Sequence, residues 1–354
     1  FLLLLDNHVE AAAEKIGHIM IMFEAMIGDK YPEVSIKLYS GIYYLESRGY
    51  RPEEIFRIGK TLKNKAKRYY TVDNSIYENR KSAGNVIDKE AGILNRGNLT
   101  RLKNFLNRAA KRERLTVGFI GGSITQGFAA TAPDKCYAAR TVAWLRKVFP
   151  NTEFDYVNAG IGATNSQFGA ARVQEDLLCR LPDLVMVEFS VNDHCTPHDM
   201  ETYEGLIRQI YGSRSCPAMV LLHSVYYDTG KSAAYYHAQI GRHYDLPCIS
   251  MQNSIYPAVA AGRLPAEKIT ADFLHPNDLG HEFMVAVITN FLEKVIHDKT
   301  EEQQEIFPAP LTENAYEHCA RLQYFNSTPE KSGFEEDMTP QRGITDIFRN
   351  GWSA

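Results

Sequence analysis

The sequence predicts an α/β fold in which a parallel sheet is covered by helices on both faces. From Leu115 onward, short apolar runs alternate with longer amphipathic segments. The apolar runs are nearly continuous, as is typical of strands that are buried on both sides. About 185 residues carry this alternation, a length that suits one α/β domain.

Five strands and five helices follow from this pattern. The expected strands are Leu115–Ile120, Phe154–Asn158, Leu184–Ser190, Ala218–Ser224 and Pro247–Met251. The expected helices span 136–148, 166–180, 200–211, 231–243 and 278–297. Because parallel strands end at the same edge of a sheet, residues that follow them are expected to cluster there.

Composition excludes several classes of function. The 354 residues are 44% hydrophobic and 23% charged, which is typical of a globular protein and suggests two or three domains. A net charge of −4 argues against general nucleic-acid binding, which needs a basic surface. No apolar run approaches the roughly 20 residues of a membrane span, so we expect no membrane partner.

We divide the chain into four segments. Residues 1–78 read as strand, helix, strand and helix, which indicates a small α/β or helical accessory unit. Residues 79–112 are polar and helix-prone, and we expect a solvated linker helix. Residues 113–300 hold the α/β domain. Residues 301–354 are polar and interrupted by prolines, so we expect a C-terminal extension.

The ends of the chain resemble the ends of a fragment. The opening run Phe1-Leu2-Leu3-Leu4-Leu5 lacks the basic start and cleavage site of a signal peptide, which favours a cytoplasmic location. The six cysteines form no C-x-x-C pair, which favours reduced thiols over a disulfide framework.

Four polar motifs follow predicted strands, in an order that a parallel sheet would bring to one edge. They are Gly121-Gly122-Ser123-Ile124-Thr125, Asn158-Ala159-Gly160-Ile161-Gly162, Glu188-Phe189-Ser190-Val191-Asn192-Asp193 and Asp272-Phe273-Leu274-His275. The first motif lacks the Gly-Lys-Ser/Thr ending of a P-loop and the spacing of a dinucleotide fingerprint.

The side chains of these motifs complement one another chemically. Ser123 needs a base to become a nucleophile, and a histidine such as His275 can take its proton near neutral pH. Asp272 lies three residues before His275 and could orient the imidazole. The backbone N–H groups of Ser123 and Gly162 and the Asn192 amide could stabilise an oxyanion. The sequence therefore predicts acyl transfer by a Ser-His-Asp triad.

Several residues near these motifs offer alternative assignments. His281 competes with His275 as the base, but it fits the apolar face of the last helix. Asp193 is left unassigned because it could also be a helix cap. Arg172 is read as helix surface or a structural ion pair rather than a substrate clamp. A cluster of possible metal ligands comprises His194, Cys195 and His198. No further ligand completes a metal site there, so we expect no metal.

The four motifs resemble the SGNH (GDSL-type) hydrolase superfamily, whose Ser, Gly, Asn and His match Ser123, Gly162, Asn192 and His275. The resemblance implies a three-layer α/β/α, flavodoxin-like domain with a parallel five-stranded sheet. It also implies ester hydrolysis without metal or cofactor. Gly160 is the alternative to Gly162, which keeps the family spacing to Thr164.

Within that superfamily the motifs look most like bacterial carbohydrate esterases, which remove acetyl groups from sugars or polysaccharides. We therefore expect a short-chain O-acetyl ester of a small carbohydrate or polysaccharide as substrate. In such relatives a terminal Gly-Trp segment leads into a β-sandwich, and Asn350-Gly351-Trp352 could be its start. A lipase or acyl-thioesterase of the same superfamily is the alternative enzyme.

Residues 1–78 loosely resemble the C-terminal half of a GGDEF (diguanylate cyclase) domain. The opening Leu-rich strand, Lys37-Leu38-Tyr39-Ser40-Gly41 and Asn64-Lys65-Ala66-Lys67-Arg68 carry this resemblance. The family's signature loop would precede Phe1, so we expect no cyclase activity. A non-catalytic signalling or binding protein is the alternative from another class of function.

Overall fold

The computed structural model describes residues 86–301, 303–322, 326–328, 330, 332–337 and 351–353. The expectations for residues 1–78, including their resemblance to a cyclase domain, lie outside the described residues. Strands and helices are numbered below in chain order within the described part.

A six-stranded sheet forms the centre of the domain. Its strands are β1 (Ile93–Asn95), β2 (Leu115–Gly121), β3 (Phe154–Gly160), β4 (Leu184–Glu188), β5 (Ala218–His223) and β6 (Cys248–Ser250). The order across the sheet is β1-β6-β5-β4-β2-β3. Strands β2 to β6 run parallel, and their bounds lie within two residues of the predicted ones. The predicted α/β fold with a parallel five-stranded core is confirmed.

The sixth strand corrects the expectation for residues 79–112. Strand β1 pairs antiparallel with β6 at the sheet edge. The following helix, α1 (Thr100–Ala110), buries Leu102, Phe105 and Leu106 in the core. The described part of this segment therefore belongs to the α/β domain, whereas we expected a solvated linker helix. The basic residues around α1 favour a solvated helix in the sequence, although its apolar residues share one face.

Helices cover both faces of the sheet. They are α1, α2 (Ser123–Gln126), α3 (Tyr137–Val148), α4 (Ser166–Asp176), α5 (Pro197–Tyr211), α6 (Ala234–His243), α7 (Met251–Ser254), α8 (Tyr256–Ala260) and α9 (Asp278–Ile296). Side chains of α1, α3 and α9 join one core cluster, while those of α4, α5 and α6 join the other. The result is the expected three-layer arrangement.

Alternating strand side chains build these two clusters. In β4, Leu184 and Met186 belong to the cluster of α1, α3 and α9, whereas Val185 and Val187 belong to the opposite one. Every residue of β4 is buried, which explains why the run reads as continuously apolar rather than alternating.

The register of the sheet brings three strand ends together. Gly121 at the end of β2 lies opposite Gly160 of β3 on one side and Glu188 of β4 on the other. The loops that follow these three strands therefore leave the sheet side by side. This is the edge at which ligands bind in open α/β sheets.

The C-terminal extension crosses the outer face of α5. Glu204 accepts hydrogen bonds from Leu311 and Thr312, and Arg208 pairs with Glu317. Further along, β7 (Glu335–Asp337) pairs antiparallel with β8 (Gly351–Ser353). Among the described residues, no helix is long and apolar enough to cross a membrane.

Candidate active site

Two glycines shape the turn that presents Ser123. A side chain at Gly121 would clash with Thr125 and with the carbonyl of Glu188, and one at Gly122 would clash with Asn192. Glycine therefore lets β2 turn sharply into α2, the one-turn helix that begins at Ser123. The serine is 8% exposed, so only a small part of it is open to solvent.

Ser123, His275 and Asp272 form a continuous hydrogen-bonded chain. Ser123 Oγ lies 2.8 Å from His275 Nε2, and His275 Nδ1 lies 2.6 Å from Asp272 Oδ2. A carboxylate can only accept, so Nδ1–H donates to Asp272 and Nε2 is left to accept the serine hydroxyl. This is the tautomer in which a histidine can take a proton from serine.

A tight turn holds the Asp272 carboxylate beside the imidazole. Asp272 Oδ1 accepts the backbone N–H groups of Leu274 and His275, at 3.1 and 2.8 Å, and the hydroxyl of Thr270 at 3.0 Å. Partial burial opposes ionisation, but the hydrogen bonds from His275, Leu274 and Thr270 hold the pKa of Asp272 well below its usual range. The carboxylate is therefore charged whenever His275 needs a counter-ion.

The three expected oxyanion donors lie on the three neighbouring loops. The Asn192 side chain packs against Gly122, the residue before the serine. A Cβ built on Gly162 would lie 3.7 Å from Ser123 Cβ, so this glycine faces the nucleophile. The N–H of Gly162 donates to Gln126 Oε1 at 2.9 Å. An acceptor oxygen thus already occupies the direction in which this N–H group would bind an oxyanion.

The alternative glycine, Gly160, is used differently. It lies within β3, its N–H donates to Asn158 Oδ1 at 2.9 Å, and a Cβ there would clash with the backbone of Gln126. Gly160 therefore permits the close packing of β3 against α2. These contacts favour Gly162 over Gly160 as an oxyanion donor.

A buried carboxylate supports the loop that carries Asn192. Glu188 Oε1 accepts the N–H and the hydroxyl of Ser190, at 3.1 and 2.8 Å. Burial, partly offset by these hydrogen bonds, raises the pKa of Glu188 to about 7. The loop then turns back on itself, as the N–H of Asn192 donates to the carbonyl of Phe189.

Asp193, which the sequence left unassigned, ties this loop to two helices. Its Oδ1 accepts the N–H of Ser166 at the start of α4, and its Oδ2 lies 2.9 Å from His237 Nε2 on α6. The His237 ring stacks on Tyr203 with 3.6 Å between centroids. Both side chains of the Asp193–His237 pair are fully buried, so the pair is a structural connection behind Asn192.

The remaining alternatives, His281 and Arg172, have structural contacts outside the hydrogen-bonded chain of the triad. His281 Nδ1 accepts the N–H of Tyr137, and burial lowers the pKa of His281 to about 4, so it is a poor base. Arg172 is buried, pairs with Asp176 and donates to the Gly121 carbonyl, which makes it a structural ion pair rather than helix surface.

The structure places His194, Cys195 and His198, which the sequence offered as an incomplete metal site, in the loop after Asn192 and at the start of α5. Within the described residues, no group of three or more His, Cys, Asp and Glu side chains is placed to hold a metal ion. This includes the neighbourhood of His194, Cys195 and His198. His198 instead approaches Gln167 and packs edge-on against Tyr316.

Sequence reasoning missed two residues beside the triad, Gln126 and Phe128. Gln126 lies three residues after Ser123, and this spacing on a helical turn puts both side chains on one face. That spacing was the available signal. Phe128 packs its ring 4.5 Å from the His275 ring, a contact between distant parts of the chain that no local pattern reveals.

This chain is similar in sequence and fold to known ester hydrolases. The model of the GDSL-like lipase/acylhydrolase family matches residues 119–283. A crystal structure of a two-domain esterase (CEX) active on acetylated mannans is 50% identical, covering 76% of this chain and 72% of that one with a TM-score of 0.73. A crystal structure of such an esterase co-crystallised with mannopentaose has the same identity and coverage and a TM-score of 0.71. The comparison with curated proteins found no match.

Proposed function

Because this chain belongs to the GDSL-like lipase/acylhydrolase family and is a carboxylic ester hydrolase, we propose that it removes O-acetyl groups from carbohydrates. The observation that carries the proposal is the hydrogen-bonded chain Ser123–His275–Asp272 at the edge of the parallel sheet. The 50% identity to an esterase active on acetylated mannans supports an acetylated mannan as the substrate.

In the proposed first step, Ser123 Oγ attacks the acetyl carbonyl carbon while His275 Nε2 takes the hydroxyl proton. The imidazolium that forms is stabilised by the Asp272 carboxylate. The negative oxygen of the tetrahedral intermediate accepts hydrogen bonds from the N–H groups of Ser123 and Gly162 and from Asn192 Nδ2. Gln126 Oε1 leaves the Gly162 N–H as the oxyanion takes its place.

The intermediate then collapses to an acetyl-enzyme. His275 returns its proton to the departing sugar oxygen, which leaves as a hydroxyl group. A water molecule, deprotonated by His275, attacks the acetyl carbonyl, and a second tetrahedral intermediate releases acetate and regenerates the Ser123 hydroxyl. Asp272 carries no proton at any step, in keeping with its low pKa.

Acetate release from acetylated mannan tests this proposal. The wild type should release acetate, and Ser123→Ala should lose activity by about 1000-fold or more, since removal of a triad member leaves only the oxyanion donors and binding. Ser213→Ala is the matched control, because Ser213 lies in the loop before β5, at the other edge of the sheet. Equal rates for wild type and Ser123→Ala would contradict the proposal.

The acyl group is tested separately with p-nitrophenyl esters from acetate to decanoate. The proposed acetyl esterase should prefer acetate. A preference for the longer chains would instead support a lipase or acyl-thioesterase.

A further inference from the structure

Phe273, between Asp272 and His275, lies in an unfavourable conformation. Its φ is +61°, in the left-handed region, which is unfavourable for a residue with a Cβ. Its side chain is also 48% exposed, so the ring gives up much of the stabilisation that burial would provide. A bulky side chain held at positive φ in a functional loop suggests a role for that side chain.

The hydrogen bonds of this turn account for the backbone conformation of Phe273 but not for its phenyl ring. Positive φ at Phe273 lets the N–H groups of Leu274 and His275 converge on Asp272, and the Phe273 carbonyl accepts the N–H of Tyr227 at 2.7 Å. Glycine or asparagine would adopt this conformation at lower cost and make the same backbone contacts. The phenyl ring therefore needs a reason beyond the geometry of the turn.

A phenyl ring from another loop lies against His275. Phe128 packs at 4.5 Å from the His275 ring, with 60° between the planes, and is 47% exposed. The Phe128 ring contacts the candidate base, and Phe273 lies in the turn that joins Asp272 to His275. Two distant parts of the chain thus each supply a half-exposed phenyl ring to the loops that carry the triad. Two such rings at one site form more than the scattered apolar exposure of an ordinary surface.

We propose that Phe273, together with Phe128, forms the platform on which a pyranose ring of the substrate stacks during deacetylation. This inference rests on the proposed function, because it names the part of the substrate that these rings hold. A half-exposed flat ring can cover one face of a ligand. A pyranose ring offers an apolar face of C–H groups and keeps its hydroxyl groups in water, whereas a long acyl chain needs enclosure on all sides.

The test compares one ester that has a sugar with one that has none. For acetylated mannopentaose and for ethyl acetate, kcat/KM is measured by acetate release for wild type, Phe273→Ala and Phe273→Tyr. The ratio of the two values should fall about tenfold in Phe273→Ala, mainly through KM, and should recover in Phe273→Tyr, which keeps the ring.

Leu181→Ala is the matched control. Leu181 is 50% exposed and has a φ of +50°, but it lies before β4, at the edge of the sheet opposite the triad. The ratio should be unchanged in this variant. An equal fall for both esters in Phe273→Ala, or the same fall in Leu181→Ala, would overturn the platform while leaving the esterase proposal intact.

A binding measurement separates the two proposals. Two variants are titrated with mannopentaose by calorimetry: Ser123→Ala and the double variant Ser123→Ala/Phe273→Asn. Asparagine is chosen because it tolerates the left-handed conformation at this position. The platform predicts about tenfold weaker binding when the ring is absent, and equal binding overturns it. Failure of the wild type to hydrolyse either ester would contradict the proposed function, and this titration would still decide on the platform.

Discussion

Four non-glycine residues with positive φ stand in the loops that surround Ser123. They are Ala129 after the serine helix, Ala163 after the glycine that faces the serine, Cys195 after the Asn192 loop and Phe273 before His275, with φ of 68°, 59°, 58° and 61°. Each conformation is unfavourable for a residue with a side chain and persists only where neighbouring contacts impose it. The site loops thus hold strain, while the parallel strands β2 to β6 beneath them pair in continuous register.

At this scale, Asp272→Asn tests the histidine tautomer. The asparagine amide would donate to His275 Nδ1, so the ring proton would move to Nε2, which could then no longer accept the serine proton. We expect kcat for acetate release to fall by roughly 1000- to 10,000-fold with little change in KM. Asp278→Asn is the control, because Asp278 is similarly hydrogen-bonded, by Thr131 and Lys135, but is assigned no role in the triad. A near-normal kcat in Asp272→Asn would contradict the assigned role.

Glu188 gives the protein a pH-dependent stability. Its pKa is about 7 in the folded state against 4.5 ordinarily, so between these values the folded state binds more protons than the unfolded state. Stability should therefore fall as pH rises from about 4.5 to about 7 and level off above, by roughly 3 kcal/mol.

Thermal unfolding of Glu188→Gln at pH 5 and pH 8 measures this contribution. The variant keeps an acceptor for Ser190 and cannot ionise, so its melting temperature should depend less on pH than that of the wild type. Glu267→Gln, which changes an exposed carboxylate, should follow the wild type. Identical pH profiles for wild type and Glu188→Gln would refute the raised pKa.

At the scale of elements, the parallel strands were predictable because each is long, apolar and separated from the next by an amphipathic helix. Strand β1 was not, because three partly buried residues carry too little pattern to stand out. The four site motifs could be placed at one edge from topology alone. The contacts of Gln126 and Phe128 with other loops could not, because they depend on how separate loops pack.

We predict that helix α1 contributes to the stability of the domain core. Phe105 is 2% exposed and packs on Phe154 of β3, so Phe105→Ala should lower the free energy of unfolding by about 3 to 5 kcal/mol. Asn104→Ala, on the exposed side of the same helix, should change it by less than about 0.5 kcal/mol. Urea unfolding measures both, and equal values would mean that α1 is the linker helix that the sequence suggested.

At the scale of the whole molecule, the extension beyond α9 lies along the domain through contacts with α1, α4, α5 and α6, and a buried carboxylate on α5 makes several of them. Glu204 is buried there and accepts from Tyr244, Leu311 and Thr312, at distances of 2.5 to 2.7 Å. Burial opposes its ionisation, but these hydrogen bonds lower its pKa. The extension is thus attached by a charged group on the domain rather than by apolar packing alone.

Replacing Glu204 by alanine should release this segment. We expect amide hydrogen exchange at Leu311 and Thr312 to accelerate by about tenfold or more, because the acceptor of both N–H groups is lost. Glu201→Ala is the control, since Glu201 lies one turn earlier and accepts the N–H of Ala315 instead of those of Leu311 and Thr312. Unchanged exchange in Glu204→Ala would show that other contacts hold the extension.

The central claim is that Ser123 is the nucleophile of an ester hydrolase. The most direct measurement is peptide mapping by mass spectrometry after reaction with diethyl p-nitrophenyl phosphate, which phosphorylates activated serines. The account predicts a single adduct, on Ser123, that forms as activity is lost and is absent in Ser123→Ala. Complete loss of activity with the adduct on another residue and Ser123 unmodified would contradict it.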